Sequence, residues 1–260
     1  MPDIEIASAF EQIFYKKIVR ITACSLSPER KSWFGTGCII GYVKNPKYQP
    51  KALIATAGHV LIDERTKWTV ERLDSIDSSS RKVVFETPND NPLGPRVFYY
   101  NKDPRLDIGG MYAEANCVDG RSFIDLDHSG EPTETVIPII DKREGFGPGT
   151  RVAWAGFPQN VQDELGFSQL CYYEGVVAAM IDRKGYPPLY LIDGHNTFGV
   201  SGGPVWAWSD NRSRVELIAI IVSYLSDVQK NLPGFVCATP IHPLLYYLGS
   251  QNRYSGSHKC

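Results

Sequence analysis

Short stretches rich in Val, Ile, Thr and aromatic residues recur along the chain, divided by clusters of Gly, Pro, Asn and Asp. Apolar and polar positions alternating over such short runs mark β-strands with one buried face. A first set covers residues 18–25, 34–43, 52–56, 67–73, 82–87, 96–100 and 108–113. The same texture resumes over 136–140, 151–157, 169–181, 189–192, 204–208, 215–224 and 234–239, after a polar crossing at 119–134. Two ends read differently. Residues 3–17 bring Ile4, Ile6, Ala9, Phe10, Ile13 and Phe14 near helical spacing, and 241–248 reads as a short closing helix. Residues 44–51, 75–81 and 89–96 read as surface loops. Many short strands argue for an all-β sandwich or barrel, between which the number of strands does not choose.

Composition narrows the partners rather than the fold. With 260 residues, 43% of them hydrophobic, the chain can bury a sizeable core. A net charge of −2 and a pI near 6.2 leave no basic footprint for nucleic acid or an acidic membrane surface. No apolar run reaches the roughly 20 residues that span a bilayer. Asp3, Glu5 and Glu11 stand where a secretory leader would carry positive charge, so a cytoplasmic location is expected. The six cysteines contain no C-x-x-C pair, which argues against zinc, and no metal or organic cofactor is expected. In a reducing compartment five of them would serve as small core hydrophobes.

Candidate chemistry centres on Gly199-Val200-Ser201-Gly202-Gly203-Pro204, a tight turn running into Val205-Trp206-Ala207-Trp208. Its glycines free the backbone and clear space beside the Ser201 hydroxyl. Read alone, this is equally an ordinary glycine turn. A reactive serine needs a base, and the base needs an orienting group. His59 is the strongest base among five histidines. It ends the run Leu53-Ile54-Ala55-Thr56-Ala57-Gly58, whereas the others lie in polar loops or the C-terminal tail. A histidine closing a strand is also commonly structural. Asp107, in Leu106-Asp107-Ile108-Gly109-Gly110-Met111, enters an apolar strand, where a carboxylate needs a partner. Asp103, Asp125 and Asp127 lie in more polar surroundings.

The order His59, Asp107, Ser201, with Gly35-Thr36-Gly37, Thr56-Ala57-Gly58-His59 and Gly199-x-Ser201-Gly202-Gly203-Pro204, resembles the trypsin-like serine proteases of chymotrypsin fold. Other folds carry the same triad in other chain orders, so the order itself discriminates. The resemblance covers residues 18–248. It implies two six-stranded antiparallel β-barrels, 18–125 and 135–240, in a single domain spanning 1–260, with a short N-terminal helix over 1–17 and a C-terminal helix and tail over 241–260. It implies that Ser201 attacks a peptide carbonyl, His59 carries the proton and Asp107 orients His59. The N–H groups of Gly199 and Ser201 would bind the oxyanion. The resemblance further implies that Ser223 and Tyr224 lie along the substrate backbone and that Gly234 keeps the far wall of the specificity pocket open. His195, with Asn196, Thr197 and Phe198, would lie at the pocket floor, where no carboxylate stands. A preference for Arg or Lys is therefore not expected; either His195, helped by Asn196 or Thr197, accepts an acidic or polar substrate side chain, or it is a loop residue facing away.

Departures sharpen the resemblance. Val200 stands where many animal digestive members carry the Asp that pairs with a freshly cut N-terminus, and their Ile-Val-Gly-Gly start is missing. Activation by clipping is therefore not expected. Val60 follows His59 where secreted members carry a disulfide cysteine. The core is similar to the protease domain of the HtrA group, and the chain ends too soon after Thr239 to hold a peptide-binding module. The expected activity is a serine endopeptidase on protein or peptide substrates, with any regulatory partner unknown. Two other readings share these residues: a latent or inactive protease-fold binding or scaffold protein, and an acyl-transfer enzyme on small esters.

Overall fold

The computed structural model describes residues 15–29, 31–45, 48–61, 66–73, 80–87, 96–99, 105–114, 117–129, 131–133, 139, 146–159, 164, 169–209, 214–227 and 232–255. Thirteen strands account for most of them: β1 (Ile18–Ser25), β2 (Ser32–Asn45), β3 (Tyr48–Ala57), β4 (Thr66–Leu73), β5 (Ser80–Thr87), β6 (Arg96–Tyr99), β7 (Ile108–Ala113), β8 (Arg151–Gly156), β9 (Cys171–Arg183), β10 (Tyr186–Asp193), β11 (Pro204–Ser209), β12 (Arg214–Asp227) and β13 (Leu232–Pro240). The helix α1 spans His242–Ser255. Of the expected N-terminal helix, 1–14 lie outside the described residues, and Tyr15–Lys17 form a single 3₁₀ turn. The expected strand at 136–140 is described only at Ile139, a parallel bridge to Leu217.

The strands form two antiparallel sheets. The first runs β5-β4-β1-β2-β3-β7-β6, and the second closes as β10-β13-β12-β11-β8-β9. The second is the six-stranded barrel that the resemblance implies. The first differs: it has seven strands and, among the described residues, no ladder joins β5 to β6. Residues 44–51 are not all loop either. Asn45 pairs with Tyr48, so the β2–β3 hairpin takes up most of that stretch. Pro187 and Pro188 fall between the paired positions Tyr186 and Leu189 of β10, where the ladder to β9 shifts register. A missing N–H is tolerated at such an irregularity.

Alternation explains the strands. Along β1 and β4 every second side chain is buried, and these chains fill the inside of the first sheet. Trp68 anchors that core, while Trp154 and Trp206 anchor the second. The two cores interlock. Val222 and Cys237 of the second barrel pack into the first cluster, and Ile18, Cys38, Ile40, Ala55 and Ile108 of the first sheet pack into the second. The helix α1 is tied down at its start by Ile241 N–H, which donates to the Ile218 carbonyl at 3.0 Å, and by wholly buried Leu244.

Candidate active site

The β3–β7 ladder brings two of the expected residues together. Ala57 pairs with Ile108 at its end, so the residues just beyond, His59 and Asp107, meet on one side of the sheet edge. After Ala57 the chain turns through Gly58–Val60, and Gly58 N–H donates to the Asp107 carbonyl at 2.9 Å. Asp107 then takes two further bonds. The His59 backbone N–H donates to Oδ1 at 2.7 Å, and ring Nδ1 lies 2.8 Å from Oδ2. Beside a carboxylate, Nδ1 carries the hydrogen, which leaves Nε2 as the open acceptor. Asp107 sits at φ 44, the left-handed region that Asp tolerates better than most residues. Asp125 and Asp127 are committed elsewhere: Asp125 pairs with Arg72 at 3.3 Å and Arg81 at 2.5 Å, and Asp127 accepts from Ser129 and Glu131. Asp103 lies outside the described residues.

Ser201 arrives from the other sheet, at the turn before β11. Gly202 makes this approach feasible. Its φ is +88, and a Cβ there would fall on the Thr36 carbonyl oxygen and the Thr56 hydroxyl, 3.1 Å from Ala57 N. The serine turn therefore lies directly against the strand end that carries His59. Thr36 N–H donates to the Ser201 carbonyl at 2.7 Å, and Gly202 N–H to Ile221 at 2.7 Å. The Ser201 side chain is only partly exposed, and its hydroxyl forms no hydrogen bond among the described residues, to His59 included. Such bonds are often long before substrate arrives.

Around Ser201 the backbone amides divide into two groups. Those of Val200, Gly202 and Gly203 all donate, to Thr197, Ile221 and Val200 respectively. Those of Gly199 and Ser201 donate to no group among the described residues.

The remaining expected residues scatter. His195 is exposed and Phe198 is 91% exposed. Asn196 is the buried member of that segment, and its Oδ1 has no partner among the described residues. The Thr197 hydroxyl is buried with no hydrogen-bond partner among the described residues, and burial first of all pushes the Tyr173 phenol up to about 12. Ser223 is exposed on β12, opposite Cys237 of β13, whose thiol burial pushes up. Gly234 does not border open space. The Tyr224 ring and the Leu225 carbonyl fill the place of its missing Cβ, and the Gly234 N–H donates to the Tyr224 hydroxyl at 3.1 Å. Its glycine thus serves close packing between β12 and β13.

Sequence reading named Thr36 only within Gly35-Thr36-Gly37, without a role, and did not single out Phe157 or Gln159. All three bond to the Ser201 turn or to its tether, and no local pattern links positions so far apart. Among the described residues no cluster of three or more His, Cys, Asp or Glu could hold a metal. No described helix is long and apolar enough to cross a membrane.

No protein-family model matches the chain, and no curated protein matches its sequence. Solved structures do. Two of the HtrA-type protease AlgW with decapeptide align at 14% and 15% identity, with TM-scores of 0.60 and 0.56, over 96% and 95% of this chain and 67% of each of those chains. The Rv3671c protease from M. tuberculosis in its active form aligns at 16% identity and TM-score 0.56, over 96% of this chain and 87% of that one. Over most of its length the chain is therefore similar in fold to HtrA-type and trypsin-like serine proteases.

Proposed function

We propose that the chain is a serine endopeptidase in which residues 18–125 and 135–240 act as one catalytic domain. The observation that carries this reading is the His59–Asp107 pair, bonded twice at 2.7 and 2.8 Å and abutting the Ser201 turn. In this mechanism Ser201 Oγ attacks the substrate carbonyl and gives its proton to His59 Nε2, while Asp107 holds the ring in that tautomer. The oxyanion takes up the open N–H groups of Gly199 and Ser201, each worth about 10²–10³-fold in rate. His59 then protonates the leaving amine, and water repeats the sequence on the acyl-enzyme.

A place for the peptide supports the reading. β11 pairs with β12 only up to Ile220, so Ser223 to Leu225 keep one edge unpaired among the described residues, a short way along the strand from the Ser201 turn. An extended chain adding to that edge would bring its carbonyl to Ser201 by backbone bonds. Asn196, buried with an unpartnered Oδ1, suits a substrate side chain that donates a hydrogen bond.

The test is labelling by a fluorophosphonate of wild type, Ser201→Ala and His59→Ala. The reading requires labelling that both substitutions abolish. One observation favours the second reading, a latent or inactive protease-fold scaffold: the Ser201 hydroxyl is not hydrogen-bonded to His59. A folded wild type that takes no label, alone or with peptide substrate present, decides for that reading.

A further inference from the structure

The Gly199 and Ser201 amides are useful only while their peptides keep the observed orientation, and glycine at 199 does not select it. Gly199 sits at φ 93, one of several regions that glycine visits with similar ease. Outside contacts must choose. The carbonyl of Phe198 accepts from Gln159 N–H at 2.8 Å, and that of Val200 from Gly203 N–H at 2.8 Å. A trans peptide points its N–H opposite its carbonyl, so these two bonds turn the Gly199 and Ser201 hydrogens to the other side.

The peptide between them is held by one residue of the first sheet. The Thr36 hydroxyl donates to the Gly199 carbonyl at 2.8 Å and accepts from Phe157 N–H at 3.0 Å. A hydroxyl has one proton, so accepting from Phe157 directs that proton at Gly199. Thr36 N–H donates to the Ser201 carbonyl at 2.7 Å, and its own carbonyl accepts from the Thr56 hydroxyl at 2.6 Å. Thr36 is wholly buried. Val200, whose side chain is buried and apolar, adds packing but no polar tether.

We propose that Thr36 is a positioning residue: its hydroxyl clamps the Gly199–Val200 peptide from the opposite sheet and keeps both oxyanion-binding N–H groups turned outward without an activating ion pair. This rests on the serine-hydrolase reading of the same site. Without the hydroxyl, the Gly199–Val200 peptide loses its tether, and the Phe198–Gly199 peptide beside it is held by the Gln159 N–H alone; a rotation that breaks this bond and turns the Phe198 carbonyl inward removes one donor.

The experiment compares wild type, Thr36→Val and Thr36→Ser in the full chain, using a fluorophosphonate whose phosphoryl oxygen occupies the oxyanion site. Thr36→Val keeps the shape and the backbone bonds but loses the hydroxyl. Its kinact falls about 10²-fold while KI stays within about threefold, and Thr36→Ser restores kinact, since the loss is that of one transition-state donor. A merely structural role lowers the active fraction without this split. Should Thr36→Val fail to fold, Thr36→Ala carries the same comparison. Equal kinact in wild type and the folded hydroxyl-free variant overturns the proposal. An unlabelled wild type instead overturns the hydrolase reading. The clamp is then judged by amide hydrogen exchange over 197–203, which must speed up in Thr36→Val and recover in Thr36→Ser, and unchanged exchange rejects it.

Discussion

Replacing Asp107 with Asn separates orientation from folding at the candidate site. Asn keeps the size and one carbonyl oxygen, which goes on accepting the His59 backbone N–H now 2.7 Å from Oδ1. The other oxygen becomes an NH₂ group, 2.8 Å from Nδ1 if the geometry holds. That group can only donate, so Nδ1 must accept and the ring proton moves to Nε2, where it blocks uptake of the Ser201 proton. The wrong tautomer costs about 10⁴ in kcat, or about 5.4 kcal/mol at 1.36 kcal/mol per decade. Folding changes far less. Both bonds persist without their charge, a loss of about 1–2 kcal/mol in all, and Asn accepts the φ of 44 as readily as Asp does. Asp107→Ala is the contrast. It forfeits both charge-assisted bonds, about 3–6 kcal/mol before allowing for solvent at a carboxylate 22% exposed. It also places Ala in left-handed backbone, at about 1–2 kcal/mol. The assay is fluorophosphonate inactivation and peptide hydrolysis beside thermal unfolding of the three proteins. A folded Asp107→Asn enzyme within tenfold of wild type would refute the argument, as would activity that merely tracks the melting temperatures.

Two further outcomes test the packing behind the site. Gly202→Ala should lower stability by about 3 kcal/mol or more, a fall in Tm of about 6–12 °C, because its Cβ meets the Thr36 carbonyl and Thr56 hydroxyl at a φ of +88. A melting temperature within 2 °C of wild type, or about 0.5–1 kcal/mol, contradicts that contact. Raising the pH should destabilise the chain. Burial pushes the Cys38 thiol well above its ordinary 9.0 and the Tyr173 phenol from 10.0 up to about 12. The unfolded chain sheds both protons from about pH 9 upward while the folded chain keeps them, so stability is level below that and falls above it. Urea midpoints at pH 8, 10 and 11 check the sign, and a midpoint unchanged to pH 11 is the contrary result.

Much of the fold is local and was legible. Alternation in 18–25 and 67–73 marks β1 and β4 because a pleated strand turns every second side chain inward, whatever it packs on. The ends of β2 and β3 were less legible. The Asn45–Tyr48 pairing draws polar residues into a hairpin that their composition reads as loop. The short strand β6 at 96–99 was visible, but its antiparallel pairing with β7 is a matter of tertiary register.

At the site, His59, Asp107 and Ser201 were each legible because their chemistry clashes with their setting: an ionisable ring and a carboxylate at apolar strand ends, and a hydroxyl among glycines. Their neighbours were not. The sequence by itself determined the strands, the turn at 199–204 and the order of the three candidate groups, since these depend on residues a few positions apart. Only the tertiary structure decided that Thr36 bonds Gly199 across 163 positions, that the Tyr224 ring fills the space beside Gly234, and that Asn196 is buried while His195 is not. These contacts exist only once two sheets dock in one register, and a hydrogen bond between sheets depends on that register rather than on either strand's own pattern.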